Sequence, residues 1–161
     1  MKELFVMNRE DLKEGVYAGL IAGLFFLVIQ MLLMALYLKT SPWVPPRMIS
    51  AMILGKGILS HQDFNLGIVL LAGIIHFGFS ILYSLILVFL IRLQSLATGT
   101  LIGVVFGLVL YFIHFYGFAM LFPWFAEGRN VVNAFAHMVF GGVSAFVFKE
   151  LQISYHSKAE S

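Results

Sequence analysis

Cysteine is absent from the 161 residues, and with it go disulfides, iron–sulfur clusters, thiolate zinc sites and covalent c-type haem attachment. Charge is scarce: ten Lys and Arg with eight Asp and Glu make up 11% of the chain, against 61% hydrophobic residues. That little polar surface cannot cover a soluble globule, which leaves an integral membrane protein. The few basic residues form no run with interleaved aromatics, so nucleic-acid binding has no basis. A nucleophile elbow, a phosphate loop, paired carboxylates and the zincin motif are also missing. An enzyme assignment would rest on histidines alone, and none is made.

What is present is four apolar stretches, over residues 15–38, 66–91, 96–120 and 131–148. Each meets the ~20 helical residues that cross a hydrocarbon core about 30 Å thick. The expected fold is a single all-α domain, a bundle of four transmembrane helices. Residues 1–14 are charged and hold no apolar stretch, unlike a cleaved secretory signal, so the first span is expected to stay in the mature protein. An even number of spans puts both termini on one side. Lys2, Arg9, Lys13, Arg92, Lys149 and Lys158 fall there, against Lys39, Arg47, Lys56 and Arg129 opposite. The bias favours termini in the cytoplasm of a bacterium-like cell.

The first and third stretches share one pattern. Gly15, Gly19 and Gly23 precede Gln30 as Gly99, Gly103 and Gly107 precede His114, and Pro42-Trp43 and Pro123-Trp124 follow, then Arg47 and Arg129. Each arginine leads into a stretch with one histidine, His76 or His137. The order predicts an internal duplication, over about 15–91 and 99–150, that builds the bundle from two repeated helical hairpins around a pseudo-two-fold axis along the membrane normal.

Steps of three, four and seven keep residues on one helix face. They place Gly15, Gly19, Gly23 and Gln30 on one stripe, and Gly73, His76, Ser80 and Ser84 on another. Gly99, Gly103, Gly107 and His114 form a third, and Asn130, Asn133, His137, Gly141 and Ser144 a fourth. Membrane helices associate through small residues and interhelical hydrogen bonds, so all four stripes, with the four-residue glycine spacing of a zipper, are expected to face inward. At about 1.5 Å per residue, His137 lies roughly 12 Å beyond Arg129, His114 roughly 13 Å before Pro123, and His76 roughly 15 Å beyond Leu66. They share a layer in the outer half, with Gln30 slightly deeper. In the first outer connection, Pro42, Pro45 and Pro46 forbid regular helix, and 46–54 reads as a short interfacial helix ended by Gly55. Its expected role is an amphipathic anchor, with a lid or docking surface as the alternative.

Ionisable groups are costly inside a bilayer, so Gln30, His76, His114 and His137 form the candidate site. Neutral imidazole ligates haem iron and other metals. An axial pair of His76 and His137 would hold haem b on the pseudo-two-fold axis, with His114 behind it. Copper is the other candidate, since Met31, Met34, Met48, Met52, Met120 and Met138 all map to the outer half or its loops and thioethers suit Cu(I). Such a site suits electron transfer or a respiratory-complex subunit. Without metal, the imidazoles would relay protons or bind a polar ligand, as in a transporter or pH sensor, with Glu127, Arg129, Asn130 and Asn133 at the mouth. Alternatively they hydrogen-bond Gln30, Ser80, Tyr111, Tyr116 and Asn133 and only lock the bundle of an accessory subunit, whose apolar faces bind other membrane subunits or a second copy. His61 and His156 read as solvated surface residues.

The order His76-x-x-Phe79-Ser80, His114 in an aromatic helix, Pro123-Trp124, then His137 resembles the YagU-type family of small bacterial inner-membrane proteins over the last three spans. The resemblance implies a shared bundle, a shared histidine layer and a bacterial inner membrane. It implies no biochemical activity.

Overall fold

The computed structural model describes residues 7–61 and 63–159, with side chains through Tyr155. Lys2 and the side chains of His156 and Lys158 lie outside that range. Helix α1 runs Arg9–Leu36, α2 Val44–Leu54, α3 Leu66–Ile91, α4 Leu96–Phe112 and α5 Val131–Ala159. Among the described residues four helical segments are long and apolar enough to cross a membrane, α4 counting with the turns that extend it to Met120. The protein is an all-α integral membrane bundle. Large apolar side chains stay exposed around it, among them Leu24 and Val28 on α1, Ile74 on α3, Leu101 and Val105 on α4 and Phe135 on α5. Facing lipid, they need no protein cover.

Local chemistry sets the ends. Asn8 caps α1, its Oδ1 accepting the Asp11 N–H at 2.7 Å while Asp11 Oδ2 accepts the Asn8 N–H at 3.3 Å. The two bonds fill orphan donors of the first turn and start the helix six residues before the apolar stretch. Helix α2 begins at Val44 rather than Pro46, because Pro45 and Pro46 sit in a first turn whose N–H groups have no helical acceptor to lose. Its end is as expected: Gly55 takes φ of 83°, a value glycine adopts without strain. Asn65 and Ser95 cap α3 and α4. The third span is not one α-helix. After Phe112 it widens into a π turn over Ile113–Gly117 and tightens into a 3₁₀ turn over Phe118–Met120.

Around the bundle the order is α3, α1, α5, α4. Helix α5 packs extensively on both α4 and α1, and α1 on α3, whereas of the neighbouring pairs α3 and α4 pack least although a short turn joins them. In the half nearest the chain termini the helices close tightly. A Cβ built on Gly19 would stand 2.9 Å from Ser84 Cβ, and one on Gly103 would collide with the Gly141 carbonyl and meet Ala145 Cβ. A Cβ on Gly15 would face Val88 at 3.3 Å, and one on Gly99 would face Lys149 in ordinary contact at 3.5 Å. The two hairpins thus close on positions that correspond under the offsets that align Gln30 with His114 and His76 with His137. Gly73 departs from the expected inward stripe, having nothing within 4 Å of its would-be Cβ. Ala18, Leu87, Val88, Ile91, Ala145 and Phe148 form the core of this half. Ser144 Oγ donates to Ser84 Oγ at 2.9 Å, and Ser84 Oγ donates to the Gly15 carbonyl at 2.8 Å. The other half, which carries α2, is wider.

Candidate functional site

A cavity of about 330 Å³ occupies the α2 half, within the range of small-molecule sites. Gln30, His76, His114 and His137 all line it. So do Met34, Met48 and Met52, but not Met31, Met120 or Met138; Met120 is 84% exposed. Its walls carry the rings of Phe26, Phe79, Phe115, Phe118, Phe125 and Phe140. Among the mouth residues expected from the sequence, Glu127, Asn130 and Asn133 line it, whereas Arg129 points away, donating to the Phe115 carbonyl at 2.9 Å with its guanidinium 4.4 Å from the Tyr116 ring centroid. His61 is exposed, as a solvated residue should be.

Helix α2 is the roof. Val44, Pro45, Met48, Ile49 and Met52 line the cavity. The helix is clasped on two sides. Ser50 Oγ donates to the Ile68 carbonyl at 2.8 Å, and Arg47, only 4% exposed, donates to the carbonyls of Ile58 and Asp63 and pairs with the Asp63 carboxylate at 3.0 Å. Opposite, Trp124 Nε1 donates to the Met48 carbonyl at 3.0 Å. Of the repeated Pro-Trp and Arg elements, Arg47 from the first and Trp124 from the second therefore hold α2 in place.

Inside, the protons follow from one fixed acceptor. His137 Nδ1 lies 2.7 Å from the Asn133 carbonyl, which can only accept, so Nδ1 carries the proton and Nε2 a lone pair. His114 Nδ1, 2.9 Å from that lone pair, must then be the donor. Its own Nε2 is left to accept the Tyr83 hydroxyl at 2.9 Å. Three neutral side chains form one directed file, Tyr83 to His114 to His137 to a backbone carbonyl. Nothing in it is unsatisfied. His114 itself lies in the π turn over Ile113–Gly117. Tyr83 was missed by sequence reasoning, although it lies seven residues after His76 on the same face; Tyr111 and Tyr116, expected there, make no hydrogen bond to a histidine.

His76 stands apart. Its Nε2 donates to the Gly23 carbonyl at 3.0 Å, with Ser80 Oγ at 3.4 Å, and its Nδ1 is thereby the lone-pair nitrogen. Between His76 and His137 lies the Phe26 ring, stacked on the first at 5.4 Å and edge-on to the second at 4.8 Å.

Gln30 is fixed the same way. Asn133 Nδ2 donates to the Gly128 carbonyl at 2.8 Å, which turns Asn133 Oδ1 toward Gln30 Nε2 at 2.7 Å. Gln30 Oε1 is left buried without a partner, the one such side-chain atom among the described residues. The sequence signalled Gln30 by its match to His114 but not its link to Asn133.

Among the described residues no three His, Asp or Glu side chains gather as a metal-holding group. No family model, curated protein or solved structure matches the chain, and nothing identifies the YagU-type family. What fold and cavity define is a class, a polytopic membrane protein with a roofed intramembrane polar cavity.

Proposed function

We propose that this protein binds a small uncharged molecule that donates hydrogen bonds, held in the cavity against Gln30 and His76. The observation that carries the reading is the orphaned Oε1 of Gln30. A buried acceptor without a partner costs about 1–3 kcal/mol, and an occupant that supplies the donor recovers it. His76, whose Nδ1 holds a lone pair, lines the same cavity, and the surrounding walls are largely apolar. The file from Tyr83 to His137 is neutral and offers no counter-charge to an anion or an organic cation. The test is native mass spectrometry of protein taken gently from membranes, wild type beside Gln30→Leu and His76→Phe. A small-molecule mass on the wild type alone supports the proposal. Equal adducts on all three, or none on any, overturn it.

A metal-bound form of the same cavity is the second reading, favoured by two carbonyl bonds. His137 Nδ1 and His76 Nε2 each donate to backbone, as the second nitrogen of a metal-bound imidazole commonly does. Met34, Met48 and Met52 add thioethers that suit Cu(I). Haem b on His76 and His137 would require Phe26 to leave the space between them and His114 to release His137. An optical spectrum with elemental analysis separates these forms: a Soret band with stoichiometric iron marks haem, and copper without a Soret band marks His/Met ligation.

The setting we propose is a bacterial inner membrane with cytoplasmic termini and α2 outside, from the charge bias. The hairpins are read as duplicated copies whose glycines act as a zipper, a reading that draws support from the corresponding positions they meet. The exposed apolar faces suit other membrane subunits or a second copy. A purely structural subunit would carry the same bundle and bind nothing in the cavity.

A further inference from the structure

We infer that the cavity takes the phenolic headgroup of a molecule dissolved in the bilayer, reached between α3 and α4. The inference rests on the binding role proposed above and adds the ligand's class and route.

The class follows from what the walls accept. Gln30 Oε1 and His76 Nδ1 are acceptors only, so the occupant brings the hydroxyl proton. Around them stand Phe26, Phe79, Phe115, Phe118 and Phe125, and rings at edge-to-face and tilted angles hold a planar aromatic guest better than a flexible chain. An aromatic ring bearing a hydroxyl satisfies both sets of groups. A carboxylate brings no donor to these acceptors.

The route follows from which side is closed. The α1 and α5 side of the cavity is buried: Phe26, Gln30, Asn133, His137 and Phe140 are each no more than 7% exposed. The α3 and α4 side is half-buried at His76, Phe79, Tyr83, His114 and Phe118. The seam there is spanned by side chains, Phe79 and Phe118 with ring centroids 6.0 Å apart and Tyr83 with His114 at 5.3 Å. Rings that swing on rotamers part more readily than packed helix backbones. On the third side, α2 is fastened by Arg47, Ser50 and Trp124. The bilayer side is the easier way in.

The experiment uses the full chain in lipid nanodiscs and four probes: a phenol with a long para-alkyl chain, its methyl ether, a saturated alcohol of similar length, and unsubstituted phenol. Binding is read by thermal shift and by quenching of the tryptophan and tyrosine emission. The tailed phenol is expected to bind, and the methyl ether, lacking the donor, at least about tenfold more weakly. The saturated alcohol and unsubstituted phenol should also trail it. Gln30→Leu and His76→Phe are each expected to weaken the tailed phenol by about tenfold. If Gln30→Leu does not fold, His76→Phe carries the comparison. A saturated alcohol that binds equally well overturns the phenolic class while leaving the binding role intact. Equal binding of the methyl ether overturns both. Unsubstituted phenol matching the tailed one overturns the bilayer route, and no binding by the tailed phenol, or unchanged binding in both variants, overturns the inference.

Discussion

Gln30 and Asn133, 103 residues apart, share a buried hydrogen bond of 2.7 Å whose direction is dictated by a third group, the Gly128 carbonyl beyond them. The pair ties α1 to α5 and leaves one amide oxygen over.

Removing either partner has unequal results. Asn133→Ala strands both ends of the Gln30 amide and the Gly128 carbonyl, and is expected to cost about 1–3 kcal/mol. Gln30→Leu removes the orphan oxygen as well as the bond and is expected to cost less. The double variant should fall short of the sum, because the two residues share one interaction. Reversible unfolding in detergent measures all three.

The proton file makes a spectroscopic prediction. His114 and His137 are both expected as the Nδ1–H tautomer with an unprotonated Nε2, visible by nitrogen NMR of histidine-labelled protein. Tyr83→Phe should move only the His114 Nε2 resonance strongly, since that nitrogen alone loses its donor. Protonated Nε2 on either residue would contradict the file.

Two glycines at opposite extremes of crowding give a paired test. A methyl group on Gly107 would fall on the His137 carbonyl, so Gly107→Ala must push α4 from α5 and is expected to cost about 1–3 kcal/mol. Gly73→Ala meets nothing within 4 Å and should be neutral or stabilising by up to about 1 kcal/mol through helix propensity. Thermal melts of the two variants rank them.

The roof should loosen one fastener at a time. Trp124→Phe removes the donor to the Met48 carbonyl, and Arg47→Lys replaces a fork that reaches Ile58 and Asp63 together with a single ammonium. Both are expected to speed hydrogen exchange across Val44–Leu54 several-fold, while exchange in the Ala18, Leu87 and Phe148 core stays as in wild type.

The fold was legible because its signals are long. Four apolar runs fixed the number of spans, and glycines at four-residue spacing marked where helices approach. Helix ends were less legible, since Asn8 and Asp11 act through a pair of short bonds and prolines that break a helix interior are welcome in its first turn. The site was legible as a set of residues, because a polar side chain amid apolar neighbours stands out in any helix. Its wiring was not. Whether Tyr83, Tyr111 or Tyr116 meets His114 depends on a π turn that no periodicity announces. That Phe26 separates His76 from His137 depends on how far α3 and α5 stand apart.

The unequal seams give the molecule a front and a back within the plane of the membrane. A neighbouring protein pressed against α1 and α5 would leave the half-buried rings of α3 and α4 bathed in lipid. The same neighbour turned half a circle would seal them. Whatever this chain assembles with can therefore act as a shutter, and the choice of contact face alone would decide whether the chamber behind Phe79 and Phe118 is open for exchange.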